Sequence, residues 1–446
     1  MINRLTIIFG LIITTFTYAQ ENNSFTLQEA IDYALENNRA ALNASHDIDA
    51  AYKQKWETTA TGLPQLNAAV DYQDFIKQQV QVFPSSAFGG PEGEYSAVAF
   101  GLKQNINASA TLSQLIFDGS YLVGLQSAKV FLEISKNAKI KTDLEVRKSV
   151  INAYGNVLLV EESATILEKN RAALEKNLME LTKIYENGLE EEESVEQLKI
   201  TLSGVESALS NTNRLKKVAY QMLNINLGLP IDTPTILADN LESLTARQID
   251  LNFLGRPFEV ENTIDYQIAA NDKTSKELLV KFEKSKALPT VSSFLSGGYV
   301  SYSDNFDFLD TNQKYYGYGV FGLNIKIPIF SSGMRSASTQ RAMINLEKAK
   351  NDLTETQQRL NLQIETAKSD YQFAIEDYEN KKQNLNLAER IEQKNQTKFF
   401  EGIASSFELR QAQIQLYTAQ QEFLQAMLDV INNKAALETI SNTINN

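Results

Sequence analysis

Apolar residues recur every seven positions along two stretches of this chain. Leu346, Leu353, Leu360, Ala367 and Ala374 form one series, and Leu409, Leu416, Phe423, Val430 and Leu437 form the other. Few folds tolerate such a pattern. Seven residues fall just short of two turns of a straight α-helix, so helices that keep this spacing under-wind and pack side by side along one apolar seam. The segment from Gly333 to Glu401 contains no proline. Its roughly 70 residues correspond to about 100 Å of continuous helix. A helix of that length cannot wrap one compact core, so the spacing predicts staves of a rod or tube.

The same register exists in the first half of the chain. Val195, Leu202, Leu209, Lys216 and Leu223 repeat one series, and Leu132, Lys139, Val146, Ala153 and Val160 the other, each with a single lysine out of pattern. Short markers repeat with it. Leu63-Pro64-Gln65 is echoed by Leu288-Pro289-Thr290, and Ile116-Phe117-Asp118-Gly119 by Ile329-Phe330-Ser331-Ser332-Gly333. Tyr185-Glu186-Asn187-Gly188-Leu189 is echoed by Phe399-Phe400-Glu401-Gly402-Ile403. Self-similarity of this kind predicts an internal two-fold repeat. The first copy is longer between its LP and IF markers, and the Gly/Pro/Ser-rich segment 84–94 has the turn chemistry to be the extra loop.

Between those markers the period drops to two. From Val98 to Ile116 the even positions are mostly apolar while the odd ones from Lys103 read Lys, Asn, Asn, Ser, Thr, Ser, which predicts a strand with one dry and one wet face. Leu66 to Val82 and Phe321 to Ile329 alternate in the same sense, and Thr290 to Tyr302 has strand-forming composition. The expectation is four strands, as two hairpins. Lys103 and Asn105 are expected on the wet face, and Phe100, Ile106 and Ile325 on the dry one. Tyr299, Tyr302, Tyr315, Tyr316 and Tyr318 form either an aromatic girdle or packing between strands. Four long amphipathic strands are too few to close a barrel, since the smallest membrane barrels use about eight. Oligomerisation is therefore expected, with three copies supplying twelve strands.

Composition narrows the function. The chain carries 42 basic and 55 acidic residues, a net charge of -13, one histidine and no cysteine. A nucleic-acid partner is not expected, because phosphate binding needs a basic stripe that is missing. Without thiols, and with His46 the sole imidazole, there is no Cys/His metal site, thiol nucleophile or disulfide framework. No phosphate-binding loop or nucleophile elbow is present either, so neither an enzyme nor a cofactor is expected. Residues 1–19 read as a secretory signal: Arg4, an apolar run from Leu5, then Thr17-Tyr18-Ala19 before Gln20.

Taken in order, the export signal, the LQEAIDYALENN opening (Leu27 to Asn38), the LP-led hairpins, the IF(D/S)G strand ends and the paired helix turns around Gly188 and Gly402 resemble the TolC-type outer-membrane efflux proteins. The likeness covers essentially the whole chain after residue 19. It implies a mixed α and β membrane protein: a homotrimer with a 12-stranded β-barrel in outer-membrane lipid, continued by an α-helical coiled-coil barrel through the periplasm. On this reading residues 20–228 are a first repeat (a helix, hairpin 63–117, long helices 119–187 and 190–228), 229–256 a linker, and 257–446 a second repeat (a helix, hairpin 288–331, long helices 333–401 and 404–440). The resemblance implies an exit duct, passive in itself and served by a periplasmic adaptor and an inner-membrane pump of the RND, ABC or MFS type.

In that family the periplasmic helix tips form a gate with inward acidic residues. Counting from the tip-turn glycines places the matching positions at Glu193 and Ser194 on the first tip, and at Phe399, Ala404, Glu408 and Gln411 on the second. This sequence keeps one gate carboxylate, Glu408, and departs from the pattern at Phe399, Ala404 and Gln411. The run Glu190-Glu191-Glu192-Glu193 reads as a solvated helix start or as a compensating acidic ring. A structural adhesin stalk and a general porin are the competing readings. The length of the helices disfavours the porin.

Overall fold

The computed structural model describes residues 23–443; the signal segment 1–19 lies outside them. In chain order the elements are β1 (Asn23–Phe25), α1 (Leu27–Asn37), α2 (Arg39–Ala60), β2 (Gln65–Asp74), β3 (Val80–Pro84), β4 (Tyr95–Ala99), β5 (Gln104–Asp118), α3 (Gly119–Glu186) and α4 (Glu192–Leu227). There follow β6 (Thr235–Leu237), α5 (Leu241–Gln248), α6 (Leu251–Leu254), α7 (Ile264–Ser285), β7 (Thr290–Ser303), β8 (Tyr316–Lys326), α8 (Met334–Phe400) and α9 (Ser406–Ser441). Matching elements in the two halves have closely similar lengths. Helices α3 and α8 have 68 and 67 residues, α4 and α9 have 36 each, and α2 and α7 have 22 each.

The chain divides into two compact units, and this division cuts across the repeats. One unit comprises the residues up to 42, 142–258 and 363 onward; the other comprises 43–141 and 259–362. Each draws on both halves of the sequence.

In the first unit the heptad residues form the core. Val146, Val150, Ala153, Tyr154 and Val157 of α3 pack with Leu223 and Leu227 of α4, Ala367, Tyr371 and Ala374 of α8, and Leu424, Val430 and Leu437 of α9. Two tyrosines fasten the short elements to this core. The Tyr154 hydroxyl lies 2.8 Å from the Phe25 carbonyl and 3.0 Å from Asp239. The Tyr371 hydroxyl donates to the Gln248 carbonyl at 2.5 Å and accepts from the Asp250 amide at 2.9 Å. Both rings are fully buried, and burial raises both phenol pKa values, Tyr371 to about 12. Strand β1 pairs in parallel with β6. The segment expected as a linker thus contains a strand and two short helices.

The second unit contains a four-stranded antiparallel sheet in the order β2-β5-β7-β8. Its register sorts the side chains cleanly. Leu66, Leu112, Leu295 and Phe321 lie opposite one another on one face with Ile106 and Ile325; Asn67, Thr111 and Ser296 share the other with Asn105. The apolar face is bare in the single chain, with Leu66 71% and Phe321 74% exposed.

Three local expectations are corrected. The first hairpin does not run unbroken: β3 and β4 form a separate two-stranded sheet, leaving 75–79 and 100–103 outside the strands. Phe100 packs its ring against Phe83 at 5.3 Å, and Lys103 pairs with Asp74 at 3.6 Å. A single aromatic girdle is ruled out by the register, because Tyr299 lies on the apolar face while Tyr302, Tyr316 and Tyr318 lie on the polar one. There the Tyr318 hydroxyl meets Asn107 Oδ1 at 3.1 Å. Finally, the single helix expected before the first hairpin is broken at Asn38, whose extended backbone separates α1 from α2, while the helix before the second hairpin runs unbroken from Ile264.

Candidate functional site

The helix tips lie in the first unit, and both turns are built the same way. Gly188 and Gly402 adopt left-handed backbone, with φ of +74° and +72°. The Leu189 amide reaches back to the Ile184 carbonyl at 3.1 Å, and the Ile403 amide to the Lys398 carbonyl at 2.8 Å. This closure satisfies carbonyls at the end of each long helix, and a glycine adopts its backbone geometry without strain. A side chain at either glycine would meet nothing within 4 Å. The requirement is therefore for backbone conformation alone.

The two return helices start differently. Ser405 caps α9 in a reciprocal box, its hydroxyl accepting from the Glu408 amide at 3.3 Å while Glu408 Oε2 accepts from the Ser405 amide at 2.8 Å. These Ser405 bonds hold the Glu408 carboxyl below its ordinary pKa. Helix α4 starts at Glu191 with no side-chain cap; Glu192 and Glu193 fill its first turn, where the positive end of the helix dipole favours them.

The candidate residues fall into a buried group and an exposed one. Phe399 packs with Leu181, Val195 and Leu409 in a small apolar cluster, and Ala404 sits against it. Ser194 is buried beside this cluster; its hydroxyl donates to Glu190 Oε1 at 2.6 Å and lies 3.0 Å from the Ser406 hydroxyl, joining the two tips. Glu190 is half-buried, whereas Glu191, Glu192, Glu193, Glu408 and Gln411 are exposed. Glu193 accepts from Gln197 at 2.8 Å. The four consecutive glutamates therefore do not act alike: Glu190 is tied inward, and the others project from the tip.

Above the apolar cluster lies a polar layer that the heptad reading passed over. Asn177 is 4% exposed and accepts from Gln396 at 3.2 Å, and Gln413 is 2% exposed beside Glu392. Burial pushes the Glu392 carboxyl up, against a hydrogen bond from Gln413 that lowers it. The same burial, with the Glu392 charge nearby, raises the Tyr417 phenol. A signal for this layer existed in the sequence. Asn170, Leu174, Asn177 and Leu181 follow one another at the four-three spacing of a coiled-coil seam, so every second seam position is an amide.

No curated protein matches the chain. Solved structures share its fold. The CusC transmembrane channel gives a TM-score of 0.74 at 18% identity over 93% of this chain and 91% of its own. VceC, an outer membrane protein of Vibrio cholerae, gives 0.73 at 16% identity over 93% and 95%. The CmeC outer membrane channel of Campylobacter jejuni gives 0.74 at 16% identity over 94% and 85%. Residues 269–443, which hold most of the second helix–hairpin–helix set, match the family model for outer membrane efflux proteins.

Proposed function

We propose that three copies of this chain close a β-barrel in the outer membrane and form the exit duct for substrates delivered by an inner-membrane pump through a periplasmic adaptor. The observation that carries this reading is the four-stranded sheet with two open edges. Strands β2 and β8 each pair on one side only among the described residues, and they run in opposite directions. One copy's β8 can therefore take the next copy's β2 as an antiparallel neighbour, and the alternation continues round the ring without a mismatch. Three copies give twelve strands; two would give eight, whose interior side chains nearly fill. The bare apolar face then meets lipid, and the face with Asn105, Thr111 and Ser296 meets water.

The duct is passive, its driving energy coming from the pump, and it is gated at the helix tips. Exposed carboxylates at Glu191 to Glu193 and at Glu408, repeated in three copies, favour cations there. Ser194 and Phe399 hold the tips together from within. Long staves of helix support this reading over a general porin, which lacks them.

Purified protein is expected to be a trimer that conducts ions across planar lipid bilayers, and to co-purify with an adaptor when the two are co-expressed. A monomer without conductance would sink the proposal in favour of a stalk. Conductance with no adaptor binding would leave only a pore.

A further inference from the structure

The first unit contains a cavity of about 760 Å³ bounded by the start of α1, the middle of α3, the α5–α6 segment and the last turns of α9. Four cationic side chains line it, Arg147, Arg247, Arg256 and Lys434, against three carboxylates, Asp239, Asp250 and Glu438.

The carboxylates are already supplied with donors. Asp239 accepts from the Leu27 amide at 2.8 Å, from the Arg247 guanidinium and from the Tyr154 hydroxyl. Asp250 caps α6, accepting from the Asn252 and Phe253 amides at 3.1 and 3.2 Å. Glu438 accepts from Arg147 at 3.0 Å.

Lys434 and Arg147 have capacity left. Lys434 is only 7% exposed. Its nearest carboxylate, Glu438, is 3.9 Å away, beyond hydrogen-bond reach. Its ammonium, which has three protons to donate, makes no hydrogen bond among the described residues. Arg147, 9% exposed, commits one nitrogen of its five-donor fork to Glu438. A buried ammonium without an acceptor is strongly unfavourable, and burial holds Lys434 below the usual lysine range. No acceptor of the lining lies within hydrogen-bond reach of the Lys434 ammonium, although each of the three carboxylates already takes at least one donor. An anion in the cavity would therefore find unused N–H groups on Lys434 and Arg147.

We propose that this cavity binds a small soluble oxyanion of the phosphate or polycarboxylate class, held by Lys434 with Arg147 beside it. Its volume lies within the range of small-molecule sites, ~300–1,000 Å³. The site does not depend on the chain's being a duct, because all its residues belong to one unit and none is a tip residue.

The test uses the full-length purified oligomer in detergent, titrated with sodium phosphate against sodium chloride of equal ionic strength. Isothermal titration is expected to show saturable phosphate binding and no chloride binding, with a matching rise in melting temperature. Lys434→Gln leaves the Arg147–Glu438 pair in place and is expected to weaken phosphate by about tenfold or more, the usual scale for a charge-assisted hydrogen bond. Lys434→Arg is expected to retain binding. Absence of saturable binding in the unmutated protein overturns the proposal, whatever the variants do. So does equal binding by Lys434→Gln.

Discussion

Three glycines provide a test in which geometry alone fixes the sign. At Gly188, Gly204 and Gly402 an added methyl would meet no atom within 4 Å, so neither clash nor cavity enters. What differs is the backbone. Gly188 and Gly402 stand at φ of +74° and +72°, where an L-residue costs about 1–2 kcal/mol; Gly204 lies inside α4, where Ala is better than Gly by about 0.5–1 kcal/mol. Gly188→Ala and Gly402→Ala should therefore weaken the tips, and Gly204→Ala should strengthen its helix. The global melting temperature is a blunt readout for a chain this long: at ~2.1 cal/mol/K per residue, 1 kcal/mol moves it by only about 1 °C. Local opening is sharper. Native-state hydrogen exchange at the Leu189 amide in Gly188→Ala, and at the Ile403 amide in Gly402→Ala, should accelerate about fivefold or more, because each 1.4 kcal/mol is tenfold. Gly204→Ala should slow exchange around it. Unchanged protection at both tips, or faster exchange in Gly204→Ala, would refute the assignment of these turns to backbone conformation.

Other outcomes follow from the same geometry. Glu408→Gln preserves the reciprocal cap with Ser405, since glutamine serves in that motif, while deleting the charge; block of single-channel current by multivalent cations should weaken, and equal block would remove Glu408 from the proposed gate. The Glu408 cap should persist above the ordinary glutamate pKa and be lost as pH falls through the lowered value, seen as faster exchange at the start of α9 in acid. Glu392 has the opposite sign. Its carboxyl is raised, so the folded state loses stability as pH climbs from the ordinary glutamate pKa through the raised one, and Glu392→Gln should melt higher at neutral pH with the gain vanishing in acid. Arg147→Met strands Glu438 in a buried setting and should cost about 3–5 kcal/mol in denaturant titration; a cost under 1 kcal/mol would mean the pair is not buried in solution.

The long helices were legible because a seven-residue spacing survives any local irregularity. Leu409 to Leu437 lie in a helix that starts and ends within two residues of the expected bounds. The first hairpin was misread for a comparable reason. Alternation continues in phase from Val98 through Phe100 and Leu102 into Gln104, so period two cannot reveal that the chain leaves the sheet there; Gly101, at φ +97°, marks the interruption. At the tips, the turn glycines and the acidic run could be read, but not the inward tie of Glu190. That depends on Ser194, and Ser194 is buried only because Phe399 and Leu409 arrive from the other hairpin. Lys434 was invisible for the same reason, since the residues that share its cavity lie on α3, on α5 and in the chain flanking α6.

The amides set into the α3 seam also fix how far the staves can slide. Asn170 meets Gln420 at 2.9 Å and Asn177 meets Gln396 at 3.2 Å, with leucines at the intervening positions. Shifting α3 lengthwise by one seam step would bring each asparagine level with aliphatic carbon and each leucine level with a glutamine. The two stranded amides would cost about 1–3 kcal/mol apiece. Greasy packing alone would permit several nearly equivalent alignments, and these vernier marks select one. Any rearrangement that leaves them engaged must therefore pivot or bend the bundle, because axial creep gives up both contacts.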